Sequence, residues 1–294
     1  MIKKIRIAFL LVVLVIVAGT ALLSEEGDRD WTVPHTMVIY PINGDASDKA
    51  AAYIASLSID DFAGVARFIN EEAARYGIDL PEPLVIELNP KVTSRPPDPP
   101  FGGSRFKIAM WSLAMRWWAW RNSGENSSDG ARMFVQYFDP ATASELDHSV
   151  GLKQGRLGVV KAYGAPVFAG RNQVIIAHEY LHTLGATDKY DLASGMPLYP
   201  QGYADPKRIP LYPQERVALM GGLVPVSESE GEMPQGLWQV LIVPESAREI
   251  GWLAQDLEPS ASDKHETVGC APQAIEKEKT PRGKELVRMT HPIG

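Results

Sequence analysis

The sequence predicts an α+β domain in which a helix carrying two histidines lies between a sheet and a small C-terminal subdomain, with a cleft at that junction. Three observations lead there. Short β-rich runs recur between residues 36 and 163, amphipathic helical stretches alternate with them, and from residue 191 the chain turns rich in Gly, Pro and Tyr. At 294 residues and 45% hydrophobic content, the chain is long enough for one large domain or two small ones.

Lys3, Lys4 and Arg6 precede an uncharged apolar run from Ile7 to Leu23. At 1.5 Å per residue that run spans about 26 Å, slightly short of the roughly 30 Å hydrocarbon core, a gap snorkelling lysines can cover. Residues 1–24 therefore read as a membrane anchor, with Gly19, Thr20 and Ala21 leaving signal cleavage open. Either way the basic flank stays cytoplasmic and the remainder faces outward, tethered to the cell envelope or secreted. Residues 31–257 form the expected domain, and the polar stretch 258–294 reads as a disordered tail.

Within the domain, Thr36 to Ile42 is the first strand, ended by the Asn43-Gly44 turn signal. A helix starts at Ser58, with Asp61 three positions on, and ends at Gly77. Pro83 to Leu88 is the second strand. The proline-rich residues 95–103 read as a surface loop or the rim of a cleft. Phe106 to Arg121 carries four tryptophans and reads as a buried helix, an exposed aromatic face being the other reading. Arg132 to Phe138 and Leu157 to Tyr163 are strands joined by a polar loop. Gln214 to Met220 reads as a short helix, and Pro244 to Leu253 as another.

Val174 to Asp191 carries the chemistry. Its apolar residues place His178 and His182 four apart on one helical face, so one metal can take both imidazoles. Such a pair suits Zn²⁺, and Glu179 occupies the base position of an HExxH pattern. Gly185 can end the helix in the left-handed conformation and turn Asp188 back towards the histidines as a third ligand, with Asp191 a similarly placed carboxylate. Three protein ligands leave a fourth position open for water, the mark of a catalytic zinc site.

The run His178-Glu179-Tyr180-Leu181-His182-Thr183-Leu184-Gly185-Ala186-Thr187-Asp188 resembles the metzincin zinc-binding consensus in its aspartate variant, as in snapalysin-type peptidases. That resemblance implies a zincin fold: a twisted, mostly parallel sheet with an edge strand that pairs with extended substrate, an active-site helix, a Met-turn and a small C-terminal subdomain. By the same resemblance, Met220 in Leu219-Met220-Gly221-Gly222 stands at the Met-turn, a buried core methionine being the plainer reading. Glycines follow it where the family has a tyrosine, leaving Tyr190 or Tyr212 for that role. The last strand before the helix, with Leu157, Val159 and Lys161, stands as the implied substrate edge.

The expected activity is a zinc-dependent endopeptidase acting on protein or peptide substrates, with Glu179 as general base. Two alternatives stay open: a gluzincin-type peptidase with Glu215 as third ligand, and an inactive, membrane-tethered binding protein of similar fold. A net charge of -7 with scattered basic residues argues against nucleic-acid binding. The single cysteine, Cys270, excludes an intrachain disulfide and cysteine-ligated zinc.

Overall fold

The computed structural model describes residues 30–100, 104–124, 130–146, 149–153 and 155–254. The predicted membrane segment at residues 1–24 and the tail from residue 258 lie outside the described residues. Among those described, no helix is long and apolar enough to cross a membrane.

In chain order the sheet region contains β1 (His35–Asn43), α1 (Asp48–Ser56), α2 (Ala63–Arg75), β2 (Leu84–Leu88), α3 (Arg105–Asn122), β3 (Ala131–Phe138), β4 (Val150–Leu152), β5 (Leu157–Tyr163) and α4 (Ala169–Leu184). The five strands form one sheet in the order β2-β1-β3-β5-β4. All neighbours are parallel except β4, which runs antiparallel to β5. β1, β3 and β5 are buried along nearly their whole length, which is why they appear in the sequence as continuous apolar runs: helices cover a parallel sheet on both faces.

Strand alternation divides the core in two. Met37, Ile39, Met133, Val135, Val160 and Ala162 face α1, α2 and α4. Val38, Tyr40, Ile42, Phe134, Leu157 and Val159 face α3, whose Met115, Trp118 and Ala119 cover them. Each large side chain buried this way contributes about 1.5–3 kcal/mol. Beyond α4 the chain is mostly irregular. β6 (Val217–Ala218) pairs with β9 (Val240–Leu241), β7 (Val224–Pro225) pairs with β8 (Gly231–Glu232), and α5 (Pro244–Glu249) follows. Tyr76 Oη donates to the Ile242 carbonyl at 2.6 Å, and Trp31 Nε1 donates to that of Ile250 at 2.8 Å. The start of the domain and the end of α2 are thus tied to its C-terminal part.

Several expectations are corrected. α1 was not expected. Ser47 nucleates it, its hydroxyl accepting from the Ala50 amide at 3.1 Å. The capping box at Ser58 and Asp61 exists, but it opens a single 3-10 turn and α2 begins only at Ala63. Gln214 to Met220 is not a helix: Val217 and Ala218 are drawn into pairing with Val240 and Leu241, and a 3-10 turn at Leu219–Gly221 follows. α5 is shorter than expected, the chain reversing at Gly251 with φ +85°.

The implied substrate edge is also wrong. Within the polar loop expected before β5, Val150–Leu152 folds back onto β5 and becomes the edge itself. Leu157, Val159 and Lys161 then lie on the face turned to α3, away from α4. Leu157 and Val159 are core residues there, and Lys161 lies with Gln136 and Trp111 beside Pro97.

Gly151, which faces Gly158 across the β4–β5 ladder, lets α4 approach the sheet closely. A Cβ on Gly151 would come within 2.4 Å of His182 Cβ and 2.6 Å of the Glu179 carbonyl oxygen. Gly151→Ala should therefore destabilise the domain by about 1–3 kcal/mol through overpacking, measurable as a lowered midpoint of chemical denaturation.

Candidate metal centre

The apolar stripe of α4, including Val174, Ala177, Leu181 and Leu184, is buried in the main core, which fixes the helix's rotation about its axis. His178 and His182 lie along the edge of that stripe, His178 one turn on from Val174. After Leu184 the helix ends in a Schellman motif. Gly185 adopts φ +104°, its amide donates to the His182 carbonyl at 3.1 Å, and the Ala186 amide donates to that of Leu181 at 3.0 Å. This turn sends the next residues back over the imidazoles.

Backbone carbonyls orient both rings. His178 Nδ1 lies 2.9 Å from the Leu219 carbonyl oxygen, and His182 Nδ1 lies 2.9 Å from that of Ala186. A carbonyl only accepts, so each Nδ1 carries the proton and, in the neutral ring, each Nε2 presents a lone pair. Both Nε2 atoms face Asp188 Oδ1 at 3.2 Å. Ligand atoms of these three residues all lie within 4.8 Å of one another.

This arrangement fits a metal. Tetrahedral ligands about 2.0–2.2 Å from a zinc ion lie about 3.3–3.6 Å apart, close to the separation found here. Two lone pairs and a carboxylate oxygen repel one another unless a cation lies between them, and Asp188 Oδ1 is buried without a hydrogen bond among the described residues. Burial raises the Asp188 carboxyl, but the His178 and His182 imidazoles outweigh it and hold the group well below the usual carboxylate range.

Asp188 is held from both flanks. Thr187 donates to Glu249 of α5 through its amide at 3.0 Å and its hydroxyl at 2.7 Å. Lys189 Nζ lies 2.8 Å from both Glu249 carboxylate oxygens, and the Lys189 amide donates to the Met220 carbonyl at 2.7 Å. The turn containing Met220 thus bonds to His178 through Leu219 and to the Asp188 segment through Met220 itself, while the Met220 side chain is fully buried in the core.

Glu179 is 5% exposed, and its Oε2 has no hydrogen-bond partner among the described residues. Burial raises its pKa, with the two imidazoles opposing and Asp188 reinforcing the shift. Tyr190 lies beside the group, its ring centroid 6.4 Å from that of His178 and its ring packed on Gly222. Burial, then the charges of Asp188 and Glu179, raise the Tyr190 hydroxyl well above its usual value, so it remains a proton donor at neutral pH.

Of the residues expected from sequence, His178, Glu179, His182, Asp188 and Tyr190 come together. Tyr212 does not: its hydroxyl lies 3.0 Å from that of Tyr203. Nor does Glu215, whose side chain is 84% exposed and 3.4 Å from Arg208. Asp191 closes its own turn, accepting from the amides of Ala193 and Ser194 and the Ser194 hydroxyl. Sequence reasoning missed Gly151, Glu249 and the Leu219 and Ala186 carbonyls. A glycine between two apolar residues is the one local signal for Gly151.

Three outcomes are expected for metal affinity, read by competition against a chromophoric chelator. Glu249→Gln should weaken binding about 10–100-fold, the usual cost of losing an orienting partner. Asp188→Ala should cost more than that, and Glu215→Ala should leave affinity unchanged.

Neither a scan of protein-family models nor a search of curated proteins finds a match to this chain.

Proposed function

We propose that this chain is a zinc-dependent endopeptidase of the metzincin type, acting outside the cytoplasm on protein or peptide substrates and tethered by Ile7 to Leu23. One observation carries the reading: two imidazole nitrogens each stand 3.2 Å from one carboxylate oxygen, all three within 4.8 Å of one another, beside a buried glutamate. Two histidines and one carboxylate with room for a further ligand are a donor set of catalytic zinc sites. The antiparallel edge strand and the turn at Met220 agree with the family resemblance of the motif.

Zinc held there supplies a Lewis acid that polarises a scissile carbonyl and brings the pKa of a bound water to about 7. The chain's own groups do the rest. Glu179 takes the proton of the attacking water on its carboxylate and delivers it to the leaving amine. The raised pKa of this buried carboxyl moves it towards the operating pH, where a general base works best. Tyr190 keeps its hydroxyl proton and supplies a hydrogen-bond donor beside Asp188. β4 is the last strand of the sheet among the described residues, so an extended peptide can add beside it, along Gly151, which overlies Glu179 and His182.

The decisive comparison is wild type against Glu179→Gln on a mixed peptide pool, with and without chelator. The variant should bind metal as the wild type does and lose about 10²–10⁴-fold in hydrolysis, the range a positioned acid–base group contributes. Undiminished turnover in the variant removes Glu179 from the mechanism, and cleavage that survives chelation overturns the zinc reading.

A further inference from the structure

α3 is apolar on two opposite faces. Met115, Trp118 and Ala119 pack on the sheet, while Phe106, Met110, Leu113, Trp117 and Trp120 point to solvent. On a 3.6-residue repeat these five fall within about 80° of one another, a continuous stripe along the helix. Phe106 is 73% exposed, Trp117 58% and Trp120 71%. Solvent-facing aromatic surface of this extent marks a contact.

Charge and position identify the partner. Arg105, Lys107, Arg116 and Arg121 lie in α3, which has no acidic residue, in a chain of net charge -7. The Arg121 guanidinium lies 5.5 Å from the centre of the Trp117 ring. Tryptophan and phenylalanine in a stripe flanked by basic side chains is the chemistry of the membrane–water interface. β1 begins at the end of the sheet where α3 finishes, for the Thr36 carbonyl lies 2.8 Å from a Cβ built on Gly130, in the connection from α3 to β3. From Leu23 to Asp30 the extended chain reaches at most about 25 Å. A domain tethered through Ile7 to Leu23 therefore carries its exposed tryptophans within reach of the bilayer.

We infer that the outer face of α3, centred on Trp117 and Trp120, docks on an anionic lipid surface and lays the domain against the membrane. The inference rests on the tethered reading for its geometry. The sheet then separates the bilayer from α4, and the metal-binding group faces the aqueous side, open to soluble chains.

The full chain, mixed with vesicles of phosphatidylglycerol and brominated phosphatidylcholine, provides the test. Lipid should quench the share of emission carried by two of the seven tryptophans in the wild type, and a Trp117→Ser, Trp120→Ser double variant should lack that quenched share. Omitting phosphatidylglycerol or adding salt should reduce the quenching. Both residues are exposed, so metal affinity in the variant should match the wild type, a control for the fold.

Equal quenching of the two proteins overturns the inference. So does blue-shifted emission from these tryptophans before lipid is added, which would mean that residues 7–23 or a second copy covers the face. Flotation in alkaline carbonate scores the tether separately. A chain that fails to float there, yet shows the difference in quenching at neutral pH, loses the tether and keeps the aromatic docking face.

Discussion

Everything at the centre depends on three lone-pair donors being held closer together than they would rest by themselves. His178 Nε2 and His182 Nε2 each stand 3.2 Å from Asp188 Oδ1. With both Nδ1 atoms committed to backbone carbonyls, the rings in their neutral form offer Asp188 no proton. Such a cluster stays assembled only if its members are fixed by bonds elsewhere. α4 fixes the histidines through its buried stripe, and the Schellman turn supplies both the direction of the following chain and the carbonyl that orients His182. Leu219, far along the sequence, supplies the other.

Asp188 needs more support, because it sits on a loop. Its neighbours on both sides bond to Glu249, and the Lys189 backbone bonds to Met220, so two separate parts of the C-terminal region act on one carboxylate. The small C-terminal elements would be too short to persist alone. Their strands have two residues each, and they gain their stability from the main core through Val217, Leu219, Val240 and Ile242. The site is thus the contact between the sheet's helix and this region. Burying Glu179 with an orphaned oxygen costs about 1–3 kcal/mol, a large share of a typical net stability of about 5–15 kcal/mol. The dense packing around α4, with Gly151 admitting the helix so closely, is what holds that carboxylate in place.

Local patterns in the sequence were sufficient for β1, β3, β5 and α4, whose periodicities are long and whose ends carry turn residues. Spacing alone placed His178, Glu179 and His182 together, because a helix fixes that geometry within one turn. Asp188 was legible for the same reason once Gly185 was recognised as the end of the helix. What failed was non-local. β4 is three residues long and owes its existence to pairing with β5, so no run of its own identified it. The direction of that pairing moved the sheet edge from β5 to β4 and turned Leu157, Val159 and Lys161 to the wrong face. Val217 and Ala218 became a strand because Val240 and Leu241 were there to pair with them, a tertiary preference overriding the local one. Tyr190 and Tyr212 were indistinguishable in sequence, since only the packing of Tyr190 on Gly222 beside His178 separates them.

The electrostatics of the cluster also explain how so strained a set of donors can be built into a folded chain at all. Burial makes His182 harder to protonate, yet the hydrogen bond and charge of Asp188, with Glu179 and the Ala186 carbonyl, outweigh it and push the imidazole up to about 9. A proton on Nε2 can therefore relieve the same repulsion that a divalent cation relieves, at the same point in space. Proton and metal would compete for one position. The scaffold therefore need not form around the ion. It can fold with His182 charged, the proton sitting where a cation would otherwise be needed. The backbone bonds from Leu219 and Ala186 then fix both rings ahead of any ion, which is preorganisation in the plain sense.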